Sequence, residues 1–208
     1  MKKMFVAAIM CLGLAASSVE AKEETGFYAR FNTGLSFVSD IDVESSGLTA
    51  DIEADSSRIL GFAAGVTLNK VHDIEFEYSN TEYDADKFNA LGVAMNLSGA
   101  IKTNSYMVNY RYNFLKDKWT PYLLAGIGMT DTEWTGGTLS LNGVSADVTG
   151  GSDTSFVYQL GFGTKYALNE NWDLDASYRF ANPSELTIDG DKYDYSTNNV
   201  LIGIAYNW

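Results

Sequence analysis

The chain has 208 residues, 14 basic and 27 acidic, for a formal charge of −13, with one cysteine and one histidine. So acidic a balance excludes nucleic acid as a partner, because displacing phosphate counter-ions needs a basic surface. A lone cysteine provides neither a disulfide nor a thiolate metal site. Only Pro121 and Pro183 interrupt the chain, no Ser/Gly/Pro-rich linker divides it, and no segment reaches the run of about 18 apolar residues that a transmembrane helix needs.

Taken in order, residues 1–21 read as a secretory signal. Lys2 and Lys3 give a positive start, Met4 to Ala16 an apolar stretch, and Val19-Glu20-Ala21 a small-residue cleavage site. Cys11 lies inside that stretch, and Met10 before it argues against lipoprotein processing. Cleavage after Ala21 leaves 187 residues, 22–208, without cysteine.

Eight segments of roughly ten residues then alternate large apolar with small or polar residues. The first sets Phe27, Ala29, Phe31, Leu35 and Phe37 against Tyr28, Arg30, Asn32 and Ser36; the second runs from Leu60 to Leu68. The third sets Ile74, Phe76 and Tyr78 against Glu75 and Glu77. In the fourth, Tyr106, Val108, Tyr110, Tyr112 and Phe114 oppose Asn109, Arg111 and Asn113. The fifth runs from Trp119 to Ile127, the sixth from Phe156 to Tyr166 with Lys165 on its polar face, and the seventh from Trp172 to Phe180 with Asp175 and Arg179 on its polar face. The eighth is Val200 to Trp208.

Period two also fits a soluble sandwich, and three features separate the two. Connections alternate between about four residues and roughly 16 to 25, the asymmetry of outer-membrane barrels. Trp119, Trp172, Tyr206 and Trp208 fall together at the short-turn ends, as an interfacial aromatic girdle does. The second face, with Arg30, Glu75, Glu77, Arg111, Lys165, Asp175 and Arg179, is too charged for a soluble core and suits a small lumen in which the charges pair. The expectation is an all-β fold, an eight-stranded antiparallel transmembrane β-barrel over 22–208, its last strand pairing with its first so that no edge meets lipid.

Trp119-Thr120-Pro121-Tyr122-Leu123, Phe156-Val157-Tyr158-Gln159, Asn171-Trp172-Asp173-Leu174 and the Tyr206-Asn207-Trp208 ending carry a resemblance. With them the chain resembles the eight-stranded outer-membrane barrels of Gram-negative bacteria, Opa-like and surface-antigen groups above all and OmpA-type barrels more distantly. The resemblance implies an outer-membrane location, recognition of the terminal Trp208 by the barrel-assembly machinery, and contact with outer-membrane lipid and lipopolysaccharide. It also implies a structural or surface-interaction role, adhesin- or antigen-like, with a host or surface ligand at four long external loops. No peptidoglycan-binding domain follows Trp208, so a tethering role is not implied.

The remaining chemistry is sparse. His72 is a candidate for a lipid-modifying enzyme, but a turn residue without a serine or carboxylate beside it is a poor catalyst, and the expectation is no catalytic residue, cofactor or metal. Glu75 and Glu77 are spaced like an acid/base pair or a cation path; ion pairing with Arg111, Lys165 or Arg179 is the plainer reading, and a narrow pore is the alternative function. Gly161 to Lys165 has the look of a phosphate loop but lies within a strand. Asp40, Asp42, Glu44, Asp51, Glu53, Asp55, Asp131, Glu133, Asp147, Asp153 and the Asp189-to-Asp194 stretch make the external loops acidic, read as a solvated loop surface in preference to a divalent-cation site.

Overall fold

A computed structural model describes residues 25–39, 41–45, 48–90, 93–114, 118–141, 144–184, 186–188 and 191–208. The expected signal at 1–21, and Asp40, Asp189 and Gly190 of the acidic loops, lie outside them. The strands are β1 Thr25–Val38, β2 Ile41–Ser45, β3 Leu48–Ala54, β4 Ser57–Leu68, β5 His72–Ala90, β6 Val93–Asn113, β7 Trp119–Leu141, β8 Val144–Val148, β9 Gly151–Ala167, β10 Trp172–Pro183, β11 Leu186–Ile188, β12 Asp191–Asp194 and β13 Thr197–Asn207.

Eight of them close a ring by antiparallel pairing in the order β1-β4-β5-β6-β7-β9-β10-β13. The seam is β1 with β13, in register from Tyr28↔Asn207 to Val38↔Thr197. One more bond, from the Trp208 N–H to the Phe27 carbonyl at 2.9 Å, finishes it. A closed ring leaves no backbone edge facing hydrocarbon.

Alternation decides which face is which. Ile202 and Phe62 are 63% and 60% exposed on the outer wall, while Arg111 and Tyr122 each keep 1% inside. The outer apolar belt ends at the short turns in ring pairs, Trp119 with Tyr166 at 4.7 Å between centroids, Trp172 with Tyr206 at 5.0 Å and Tyr206 with Trp208 at 5.2 Å. At its other margin it gives way to Asn80 and Asn104, whose amides bond at 3.0 Å.

The turn between β4 and β5 is tight. Asn69 and Lys70 both take left-handed φ, 52° and 57°, and the Val71 N–H returns to the Leu68 carbonyl at 3.1 Å. Two left-handed residues are what a hairpin turn with the native strand twist demands.

The long connections are not loops over most of their length, in contrast to the sequence expectation. The ring strands continue beyond the belt. β3 pairs with the outer part of β5 just as β4 pairs with its inner part, β2 pairs with β3 as β1 does with β4, and β12 with β2 as β13 with β1. β11 likewise extends β10, and β8 extends β9 along β7. The result is a paired crown standing on the barrel.

Barrel and crown meet at a waist where the strands break or slip register: after Ser39, at Asp55 and Ser56, between Asp84 and Lys87, between Gly99 and Ile101, and at Gly136, whose φ is +78°. Side chains alternate, so a one-residue slip moves a set to the opposite face. Ile41, Val43 and Ile52 turn inward this way, whereas on β5 and β6 the inward parity continues from Glu77 to Ala85 and from Met107 to Leu97, with apolar residues replacing polar ones. In the crown the apolar side chains therefore point inward. Ile41, Val43, Ile52, Ala85, Leu97 and Ile101 form a buried core, while Asp42, Asp84 and Asp86 face outward and are exposed. Trp134 and Leu139 both pack on that core from β7, although their positions have opposite parity, because Gly136 lies between them. Below the waist the wall suits lipid; above it, water.

Candidate functional site

Two regions carry chemistry, the lumen and the crown. Inside the belt, Glu75 is a hub. Its carboxylate accepts from Tyr28 Oη at 2.8 Å, Arg30 Nη2 at 2.8 Å, Arg111 Nη2 at 2.5 Å and Asn109 Nδ2 at 3.0 Å. Glu77 accepts from Arg179 Nη1 at 2.6 Å and Arg30 Nη2 at 3.0 Å. Asp175 takes Arg111 Nη1 at 3.3 Å, Arg30 Nη1 at 3.5 Å and the Tyr122 hydroxyl at 3.0 Å. The Arg111 guanidinium also lies over the Tyr122 ring, 4.9 Å from its centroid. Each ion thus has several partners, the condition under which buried charges are tolerated.

Six of the seven charges picked out in the sequence are therefore in one network. The seventh, Lys165, stands apart and pairs with Asp73 at 2.8 Å, itself held by Asn113 Nδ2 at 3.1 Å. Sequence reasoning left out Asp73, which has the same inward parity as Glu75 and Glu77. With it four lumenal cations are paired with four carboxylates, and the charges of this paired set cancel. Close packing accounts for the inward glycines. A Cβ on Gly163 would come within 2.6 Å of the Tyr122 ring, and one on Gly161 within 3.0 Å of the Arg179 Cγ.

His72 lies away from this network, on the outer face at the short-turn end. Its Nδ1 is 2.7 Å from the Tyr110 hydroxyl, and the Tyr112 ring stands edge-on at 5.7 Å. Trp119, Trp172, Tyr206 and Trp208 share its end of the barrel on the outer surface.

In the crown, ion pairs tie neighbouring strands, Lys87 to Glu53 at 3.3 Å and Lys102 to Glu82 at 3.7 Å. The segments 39–58, 82–103, 130–155 and 182–197 contain seventeen acidic and four basic residues. Among the described residues no three His, Cys, Asp or Glu side chains gather as a metal-holding group. Between crown core and lumen, the Tyr83 hydroxyl bonds Ser36 Oγ at 2.5 Å and the Tyr195 hydroxyl bonds Thr132 Oγ1 at 3.3 Å. Burial holds the Tyr195 phenol above its usual range.

The model of the outer membrane protein beta-barrel domain matches residues 4–207. The chain belongs to that family. This outer-membrane barrel is also similar to outer membrane protein PagN of Salmonella typhimurium, 30% identical over 127 residues, which are 55% of this chain and 53% of PagN. The chain thus matches about half the length of that relative. Among solved structures, neisserial surface protein A superposes with a TM-score of 0.51 at 19% identity, covering 86% of this chain and 96% of that one. The outer membrane protease OmpT of Escherichia coli gives 0.55 at 10% identity, over 92% and 100%. These two likenesses concern the fold. The protein is an integral β-barrel of the bacterial outer membrane.

Proposed function

We propose that the chain is a surface-interaction protein: a sealed barrel, short turns and both termini in the periplasm, that holds an acidic crown outside the membrane to recognise a basic partner. The observation that carries this reading is the combination of a filled lumen, its paired charges cancelling, with a projecting wall stiffened by its own apolar core. A partner would meet paired strands with most of the chain's negative charge on them, an arrangement that steers basic surfaces and weakens with salt. Lipid and lipopolysaccharide surround the belt, and the Tyr206-to-Trp208 end is the part the assembly machinery would read.

Cells displaying the protein should retain a lysine-rich peptide at about 50 mM NaCl and release it at about 500 mM, where the screening length falls to a few ångströms. Replacing Asp84, Asp86, Asp131 and Glu133 by the matching amides should abolish retention. Retention unchanged by the four replacements would overturn the reading.

The pore alternative meets an obstacle in Arg111, Tyr122 and Glu75, which fill the lumen. Catalysis is disfavoured as well, although OmpT is a protease, because the group that meets His72 Nδ1 is the Tyr110 hydroxyl and not a carboxylate.

A further inference from the structure

A cavity of about 50 Å³ lies between the ionic network and the crown core. One water needs ~10–15 Å³ of such space, so there is room for several. Its wall is rich in hydroxyls, among them Ser79, Thr81, Ser105 and Thr197, with the Gln159 amide. Hydroxyls both donate and accept, and so suit water or a small hydroxyl- or carbonyl-bearing solute. Arg179 forms part of the floor. It is 1% exposed; its Nη1 is taken by Glu77, and its Nη2 is a buried donor with no protein partner. A buried N–H of this kind costs stability unless an acceptor reaches it. Glu77 beside it makes the site unattractive to anions and favours a neutral oxygen.

Tyr83 and Tyr195 border the chamber and also belong to the crown core, 3% and 7% exposed. Their hydroxyls are tied to different walls, one to Ser36 on β1 and the other to Thr132 on β7. Beneath them Glu77 and Arg179 close the floor. The chamber has one charged boundary and one aromatic boundary.

We propose that this chamber is a binding site for small neutral polar molecules, filled by water at rest, with Tyr83 and Tyr195 as a lid that opens outward. Occupants enter from the crown side only. The ionic floor stays shut whatever the lid does, so the site is a dead-end pocket and does not conduct. The inference does not depend on which partner the crown binds.

The test places a thiol in the wall. Cys11 is the chain's only cysteine and lies at the far N-terminus, so Ser79→Cys adds one reactive group to the barrel. Whole cells are treated with methyl methanethiosulfonate, a small neutral thiol reagent, labelling is read by intact mass, and the gel shift on boiling certifies the folded barrel. Labelling should be slow with the lid intact. Tyr83→Ala with Tyr195→Ala should speed it at least about tenfold, because labelling follows the fraction of open chambers. Tyr83→Phe with Tyr195→Phe, which keeps both rings, should stay near the slow rate; Tyr195→Ala alone serves if the double variant does not fold. Equal rates with and without the rings, whether both fast or both slow, overturn the lid. A crystal structure with a dry chamber overturns the occupant. Current through the lidless variant in a planar bilayer would overturn the closed floor, a result separate from any failure of peptide retention at the crown.

Discussion

Glu75 shows how this lumen is balanced. A carboxylate that accepts from a phenol, two guanidinium groups and an amide cannot be removed without leaving Arg30 and Arg111 short of partners. Losing one member of a buried ion cluster costs about 3–5 kcal/mol, more than the cluster adds over an apolar filling, because the surviving charges stay buried. Glu75→Ala should therefore lower the urea midpoint of the folded, heat-shiftable band by that equivalent, and Glu75→Gln, which keeps an acceptor oxygen, by less. A midpoint within error of the parent would mean that water takes over the missing bonds. Most of this cluster was legible from alternation, since Arg30, Glu75, Glu77, Arg111, Asp175 and Arg179 sit at inward parity. Who pairs with whom was not legible. Lys165 goes to Asp73 and not to Glu75 or Glu77, and that choice depends on strand stagger around a closed ring, which no single segment encodes.

At the scale of elements, the eight segments gave the ring but not its height. Apolar alternation on the lipid-facing side marks only the lower part of each strand, and the stretches beyond it look like loops. Those stretches alternate too, Ile41 and Val43 against Asp42, and Ile52 against Asp51 and Glu53, but with the apolar face reversed. Their apolar parity is that of the strands below, odd from Phe27 to Val43 and even from Ile52 to Ala64, so the backbone slip that turns the face over leaves no mark in the spacing. On β5 the parity itself switches, from Ile74, Phe76 and Tyr78 to Tyr83 and Ala85. Gly136, with its φ of +78°, is the visible trace of the reversal in β7. The β4–β5 turn offers a cleaner test of local chemistry. Lys70 holds φ at 57°, a region that costs a side chain with a Cβ about 1–2 kcal/mol and costs glycine almost nothing. Lys70→Gly should raise stability by about 0.5–1 kcal/mol, after glycine's extra chain entropy, in the same urea assay. A loss instead would show that the lysine side chain makes compensating contacts at the membrane surface.

For the whole molecule, closure is the organising event. The seam joins β1 to β13, so the barrel is complete only when the two ends of the described chain meet. Trp208 completes the backbone bonding at Phe27 and packs edge-on against Tyr206. Deleting Trp208 should slow appearance of the heat-shiftable form in cells, and the intact mass of the extracted protein should begin at Lys22 if residues 1–21 are removed on export. Full-speed assembly without Trp208 would place the assembly signal elsewhere. In a planar bilayer the assembled protein should pass no current, since the eight charges of the lumenal set are paired.

Cancellation within that lumenal set sorts the chain's charge by side. The outer segments hold seventeen acidic and four basic residues, which by itself matches the formal −13 of the whole chain. Each copy therefore carries an asymmetric ionic atmosphere, reaching about 10 Å from the crown at 0.1 M salt. Within it protons and divalent cations are enriched over the bulk, so a ligand arriving there meets a more acidic, more calcium-rich medium than the one it left. Cells crowded with the protein should drift faster toward the anode, and millimolar magnesium should erase the difference.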